Sequence, residues 1–116
     1  MQSELPYTFP SIDLTHAAQE FAAEVAGTAE RKKKTIPSPP GLQTFLLYVR
    51  AQGYVPLHQV SGAITVQTVL GDARLTAEGH KYNLPRGTVM SLGAGVPHDV
   101  FASTESVLLV THAPQS

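Results

Sequence analysis

From Leu42 onward the chain alternates short apolar runs with Gly, Pro, Asp or Ser-Thr-Glu punctuation, a rhythm that predicts strands rather than helices. Eight runs carry it: 42–49, 54–58, 63–70, 73–77, 80–84, 88–92, 98–102 and 106–112. Eight short strands at this spacing predict an all-β sandwich or barrel. Period-two alternation sets Ile64, Val66, Thr68 and Leu70 on one face, and an inward His58 brings Val60 and Ile64 inward with it. Gly71-Asp72 and Glu78-Gly79 read as hairpin turns, and Pro85-Arg86-Gly87 as a wider one.

The one helical pattern lies at Asp13–Ala26, where Leu14, Ala17, Ala18, Phe21, Ala22 and Val25 recur at spacings of three and four. Asp13 or Thr15 is available as its N-cap and Gly27 as its stop. Its narrow Ala-rich face predicts packing on the barrel's outside or against a second subunit. Arg31-Lys32-Lys33-Lys34, then Pro37-Ser38-Pro39-Pro40-Gly41, read as a solvated linker, because the prolines forbid helix and central strand. The expected organisation is an extension over 1–41 and a β-barrel over 42–116.

Composition narrows the function classes. At 116 residues, 42% hydrophobic and 15% charged, one compact domain is expected, burying roughly 65% of its unfolded surface. A net charge of −1 with eight Lys plus Arg offers no phosphate-neutralising stripe, so no nucleic-acid partner is expected. Zero cysteines exclude disulfides, thiolate metal sites and a cysteine nucleophile. The beginning MQSELPYTFP has no basic region followed by an apolar stretch, and no apolar run approaches ~18 residues. The expectation is a cytoplasmic protein with no membrane partner. Open sheet edges and an N-terminal segment able to reach a neighbour predict a homodimer.

Chemistry is expected around 87–102, GTVMSLGAGVPHDVFA: a strand, a Gly-rich turn, and a second strand that opens with His98 after the stiffening Pro97. His58 stands upstream on another run, and two imidazoles on neighbouring strands of a closed sheet converge on one point. Asp99 follows His98 and so points to the opposite face, which argues against a local His-Asp dyad; Phe101 shares that outward parity. His80 sits in a hairpin, His112 ends the last run and His16 lies on the helix, none with a partner at ligand spacing. Tyr48 and Tyr54 either line the cavity or pack.

The same segment resembles the second cupin motif, G-x5-P-x-G-x2-H-x3-N. Gly87, Gly95 and His98 are in register, while Gly93 stands where the proline usually is and Ala102 where the asparagine usually is. The first motif, G-x5-H-x-H-x3-E-x6-G, is matched by His58 and Gly71, with Gly53 one residue late for the opening glycine. Val60 takes the second histidine's place and Ile64 the glutamate's. The resemblance spans Thr44 to His112 and implies a double-stranded β-helix, the jelly-roll barrel of small RmlC-like cupins.

Such a barrel usually holds three histidines and a carboxylate around an iron, manganese, nickel, copper or zinc ion. Here two ligand positions are kept. His58, Gln67 and His98 form the expected neutral set for a divalent transition metal. Strict alternation turns Gln67 away, and a β-bulge at Ser61-Gly62 would bring its amide oxygen inward. Tyr48, Val60, Ile64, Val66 and Val100 are expected to line the cavity. Two functions stay open: a barrel that binds a small molecule, with or without a weak metal site, and a metal-dependent or histidine acid-base enzyme acting on a small metabolite, for example a dioxygenase, isomerase or epimerase.

Overall fold

The computed structural model describes residues 11–115; the first ten residues of the expected N-terminal extension, and Ser116, lie outside the described residues. The described residues form one helix, α1 (Leu14–Val25), and nine strands. The strands are β1 (Arg31–Ile36), β2 (Gln43–Val49), β3 (Tyr54–His58), β4 (Ala63–Leu70), β5 (Asp72–Ala77), β6 (His80–Pro85), β7 (Val89–Leu92), β8 (His98–Ala102) and β9 (Ser106–Ala113). All eight expected runs are present as strands. They form two antiparallel sheets, one ordered β1-β2-β9-β4-β7 and the other β3-β8-β5-β6, which face each other as a jelly-roll barrel.

The five-stranded sheet buries both of its faces, and the alternation of β2, β4 and β9 sorts their side chains between two cores. Ile64, Val66 and Leu108 point between the sheets, where they meet Leu75, Leu84 and Val100 of the second sheet. Leu46, Tyr48, Val69 and Val107 point outward and are covered by Ala18, Phe21 and Val25 of α1. Each of the large side chains so buried contributes about 1.5–3 kcal/mol. The helix begins where Asp13 caps it by accepting from the His16 N–H at 3.1 Å, and it stops before Gly27, whose φ of +78° suits a residue without Cβ.

Two sequence expectations are corrected here. Arg31–Ile36 is not a linker: it pairs along its whole length with β2, from Arg31 opposite Val49 to Ile36 opposite Thr44. It is an edge strand, where lysines are tolerated because their stems pack while their heads stay in water. Lys34 reaches Glu24 of α1 at 3.5 Å, and Lys33 lies over the Phe45 ring at 4.4 Å. Only 37–41 remains a connection, and the N-terminal helix and β1 are integral to the sheet they cover and extend.

The second correction concerns Tyr48, which does not line the cavity. Its ring meets Phe21 edge-on, with centroids 6.5 Å apart, beneath the helix. Its hydroxyl donates to the Glu105 carboxylate at 2.6 Å. Burial, that hydrogen bond and the carboxylate's charge push the Tyr48 hydroxyl up to about 12. Tyr48→Phe is predicted to lower unfolding free energy by about 1 kcal/mol in denaturant titration, since Glu105 is exposed and water replaces the lost donor. The same variant is predicted to bind cavity ligands as the parent does, because the ring sits on the far side of the sheet.

Candidate functional site

β3 pairs with β8 at Tyr54↔Phe101 and Val55↔Val100, then at His58↔His98. Three steps along β3 match two along β8, so one extra residue is inserted near Pro56-Leu57 as a β-bulge. Strict alternation would place Val55 and His58 on opposite faces. The bulge instead leaves both on the wall of the same cavity. Pro56 lacks an N–H to donate and is tolerated on this edge strand, while Leu57 is thrown outward and is 65% exposed.

The bulge sets His58 beside His98, with ring centroids 4.3 Å apart and planes inclined by 58°. His98 is buried, at 3% exposure, and His58 is exposed at the rim. Each ring is tethered in the same way: Nδ1 of His58 lies 2.9 Å from the Pro56 carbonyl oxygen, and Nδ1 of His98 lies 2.9 Å from that of Val96. A carbonyl only accepts, so Nδ1 carries the proton and the neutral rings keep their lone pairs on Nε2.

Around the pair lies a cavity of about 580 Å³ between the two sheets. Its buried floor is made by Ile64, Val66, Val100 and Leu108, and its exposed lining residues Lys33, Gln43 and His58 mark the mouth. The cavity opens to solvent at that mouth, so water or a ligand can enter it, and water against its aliphatic floor has few hydrogen-bond partners.

Of the residues expected at the site, His58, His98, Val60, Ile64, Val66 and Val100 line this cavity together. Gln67 does not. It pairs with Val89 and Leu109 on the outer face of β4, the face that Leu109 turns toward α1. The bulge looked for at Ser61-Gly62 occurs instead at Pro56-Leu57, where it turns His58 rather than Gln67.

His112 is a cavity residue that sequence spacing did not reveal; it stands opposite Ile64, and parity carries it inward. Its Nε2–H donates to the Ser61 carbonyl at 2.5 Å, and its Nδ1 lies 3.2 Å from Gln43 Oε1. It braces β2, β9 and the turn before β4. Gly62 makes that turn, at φ +97° and pressed on the Ala113 carbonyl, a place no Cβ can occupy. Asp99 faces outward as expected and accepts from the Tyr54 hydroxyl at 2.8 Å. His80 is exposed in its hairpin.

Comparison with solved structures decides the fold. No protein-family profile and no curated protein matches the sequence. A cupin superfamily protein from Desulfitobacterium hafniense superposes with TM-score 0.73 at 16% identity, covering 97% of this chain and 97% of that one. An RmlC-like cupin from Desulfovibrio desulfuricans gives TM-score 0.67 at 18% identity, over 98% of this chain and 96% of that one.

The fold is that of a cupin.

The salicylate 1,2-dioxygenase of Pseudaminobacter salicylatoxidans shares it, at TM-score 0.72 and 17% identity, though this chain spans only 33% of that enzyme. In this chain the side chains do not fit a resident three- or four-ligand metal. Among the described residues no group of three His, Cys, Asp or Glu could hold an ion. Two imidazole lone pairs remain, with aliphatic Val60 and Ile64 where further donors would stand. Among the described residues no helix is long and apolar enough to cross a membrane.

Burial pulls the His98 imidazolium below the ordinary histidine range; the Val96 hydrogen bond opposes this, the His58 ring adds to it, and Asp99 opposes it. The unfolded chain therefore takes up a proton at His98 near pH 6.5 while the folded chain does not. The stability this residue provides is complete above that pH and is lost as pH falls below it. In urea titrations with a chelator present, the wild type is predicted to lose more stability between pH 7.5 and 5.5 than His98→Gln. Parallel losses in the two proteins would contradict the assignment.

Proposed function

We propose that this cupin-fold protein is a small-molecule binder whose ligand occupies the cavity between the sheets. The observation that carries the reading is the cavity itself. Its volume falls within the range of about 300–1,000 Å³ usual for small-molecule clefts, and it combines an aliphatic floor with two imidazoles of fixed orientation at one end. Binding an apolar body there releases poorly hydrogen-bonded water, while an imidazole Nε2 accepts a hydrogen bond from a ligand hydroxyl or amide.

A second reading has one observation behind it. Two imidazoles lie 4.3 Å apart, and burial lowers His98 from its ordinary value, so His98 supplies a general base at neutral pH, which suits proton transfer on the bound molecule. A metal held by these rings alone would exchange readily, and nothing in the reading depends on it. Turnover of a bound compound that disappears in His98→Gln while binding persists would move the assignment from binder to enzyme.

The test is thermal-shift screening of the metal-free protein against small organic compounds, with Val66→Phe as control. A true ligand at a hundredfold excess over its Kd stabilises by about 2.7 kcal/mol, a rise in Tm on the order of 10 °C for a domain this small. Val66→Phe fills the floor and is predicted to remain folded while losing the ligand-induced shift. Stabilisation that survives the filled cavity would place the ligand elsewhere and overturn the proposal.

A further inference from the structure

The charge of the cavity wall is one-sided. Its cationic lining comes from Arg31 and Lys33, and not one Asp or Glu joins them, in a chain whose acids outnumber its bases by nine to eight. This asymmetry comes from the register of β1. Lys33 stands opposite Leu47 and Arg31 opposite Val49, on the cavity side of the sheet, whereas Lys32, opposite Tyr48, and Lys34, opposite Leu46, stand on the helix side.

These cations differ in what holds them. Lys34 is paired with Glu24. Lys33 has no carboxylate within salt-bridge distance among the described residues; its ammonium rests 4.4 Å from the Phe45 ring centroid, a weak hold at an exposed site. Arg31 spans from the edge of one sheet to the edge of the other, donating through one guanidinium nitrogen to the Tyr54 carbonyl at 2.7 Å, its one side-chain hydrogen bond among the described residues. Glu30 accepts the Tyr54 backbone N–H and Asp99 accepts the Tyr54 hydroxyl, and neither carboxylate lines the cavity. A cationic edge thus borders an aliphatic floor, and no carboxylate of the lining repels an anion.

We infer that the ligand of this cavity is an amphipathic organic anion, an apolar body carrying one carboxylate that Lys33 and Arg31 meet at the mouth. The inference rests on the binding reading above and adds the sign of the ligand. The body lies against Val66, Val100 and Leu108, displacing water, and the carboxylate stays at the rim, where its desolvation is small. Lys33 leaves the Phe45 face to meet it.

Three probes of one shape separate the two readings: naphthoate, naphthamide and naphthylmethylammonium, titrated into the full chain at pH 7.5 by calorimetry. Naphthoate is expected to bind about tenfold tighter than naphthamide, about 1.4 kcal/mol, and to weaken with added salt. Lys33→Met keeps the packing on Phe45 without the charge, and Lys33→Glu reverses it; both are expected to lose most of that preference. Lys81→Glu, the same change of charge on β6 of the other sheet, is expected to alter naphthoate affinity less than twofold. Naphthamide binding as well as naphthoate would leave the cavity reading standing and overturn the anion. Tightest binding of the ammonium probe, or equal losses in Lys33→Glu and Lys81→Glu, would overturn it too. Binding by none of the three would overturn the anion together with the cavity reading.

Discussion

A sheet covered on both sides must divide its side chains by strict alternation, and in this protein that constraint decides what reaches the cavity. Along β2 and β9, Leu47 and Leu108 face the cavity while Tyr48 and Val107 face the helix. One residue of slip would exchange the two sets and place a tyrosine hydroxyl in the floor. The cations of β1 obey the same rule through their pairing with β2, which is why Lys33 belongs to the mouth and Lys34 to the helix.

The bulge in β3 breaks the alternation, and the site depends on the break. Without the extra residue near Pro56-Leu57, the strand that brings Val55 into the cavity would carry His58 to the outside. With it, both rings sit on one wall, and backbone carbonyls two residues earlier hold their Nδ1 protons. β4 contributes Ile64 and Val66 rather than longer side chains, and this leaves room for the cavity beside the two rings.

Much of this was legible in the sequence, because strands and turns are local. Gly, Pro and Asp punctuation located eight strands, helical spacing located α1, and the spacing of Gly87, Gly95 and His98 carried the cupin resemblance. β1 was not legible: Arg-Lys-Lys-Lys shows no apolar alternation, and it becomes a strand because the exposed edge of β2 offers a partner and Ile36 and the lysine stems find surfaces to cover. Tyr48 was misplaced because parity within a strand does not say which face meets the second sheet and which meets a helix. The bulge was expected at Ser61-Gly62, yet Pro56, a residue unable to donate within a ladder, was the signal that marked it. His112 was passed over because its neighbour across the sheet, Ile64, lies far away in sequence.

The central claim is that the bulge presents two neighbouring imidazoles to the cavity with Nε2 bare on each. Nitrogen-15 NMR of histidine-labelled protein at pH 7.5 tests it directly. The account predicts Nδ1–H tautomers for both His58 and His98, with a nuclear Overhauser contact between the rings. Nε2–H tautomers at both positions, with no contact between the rings, would contradict it.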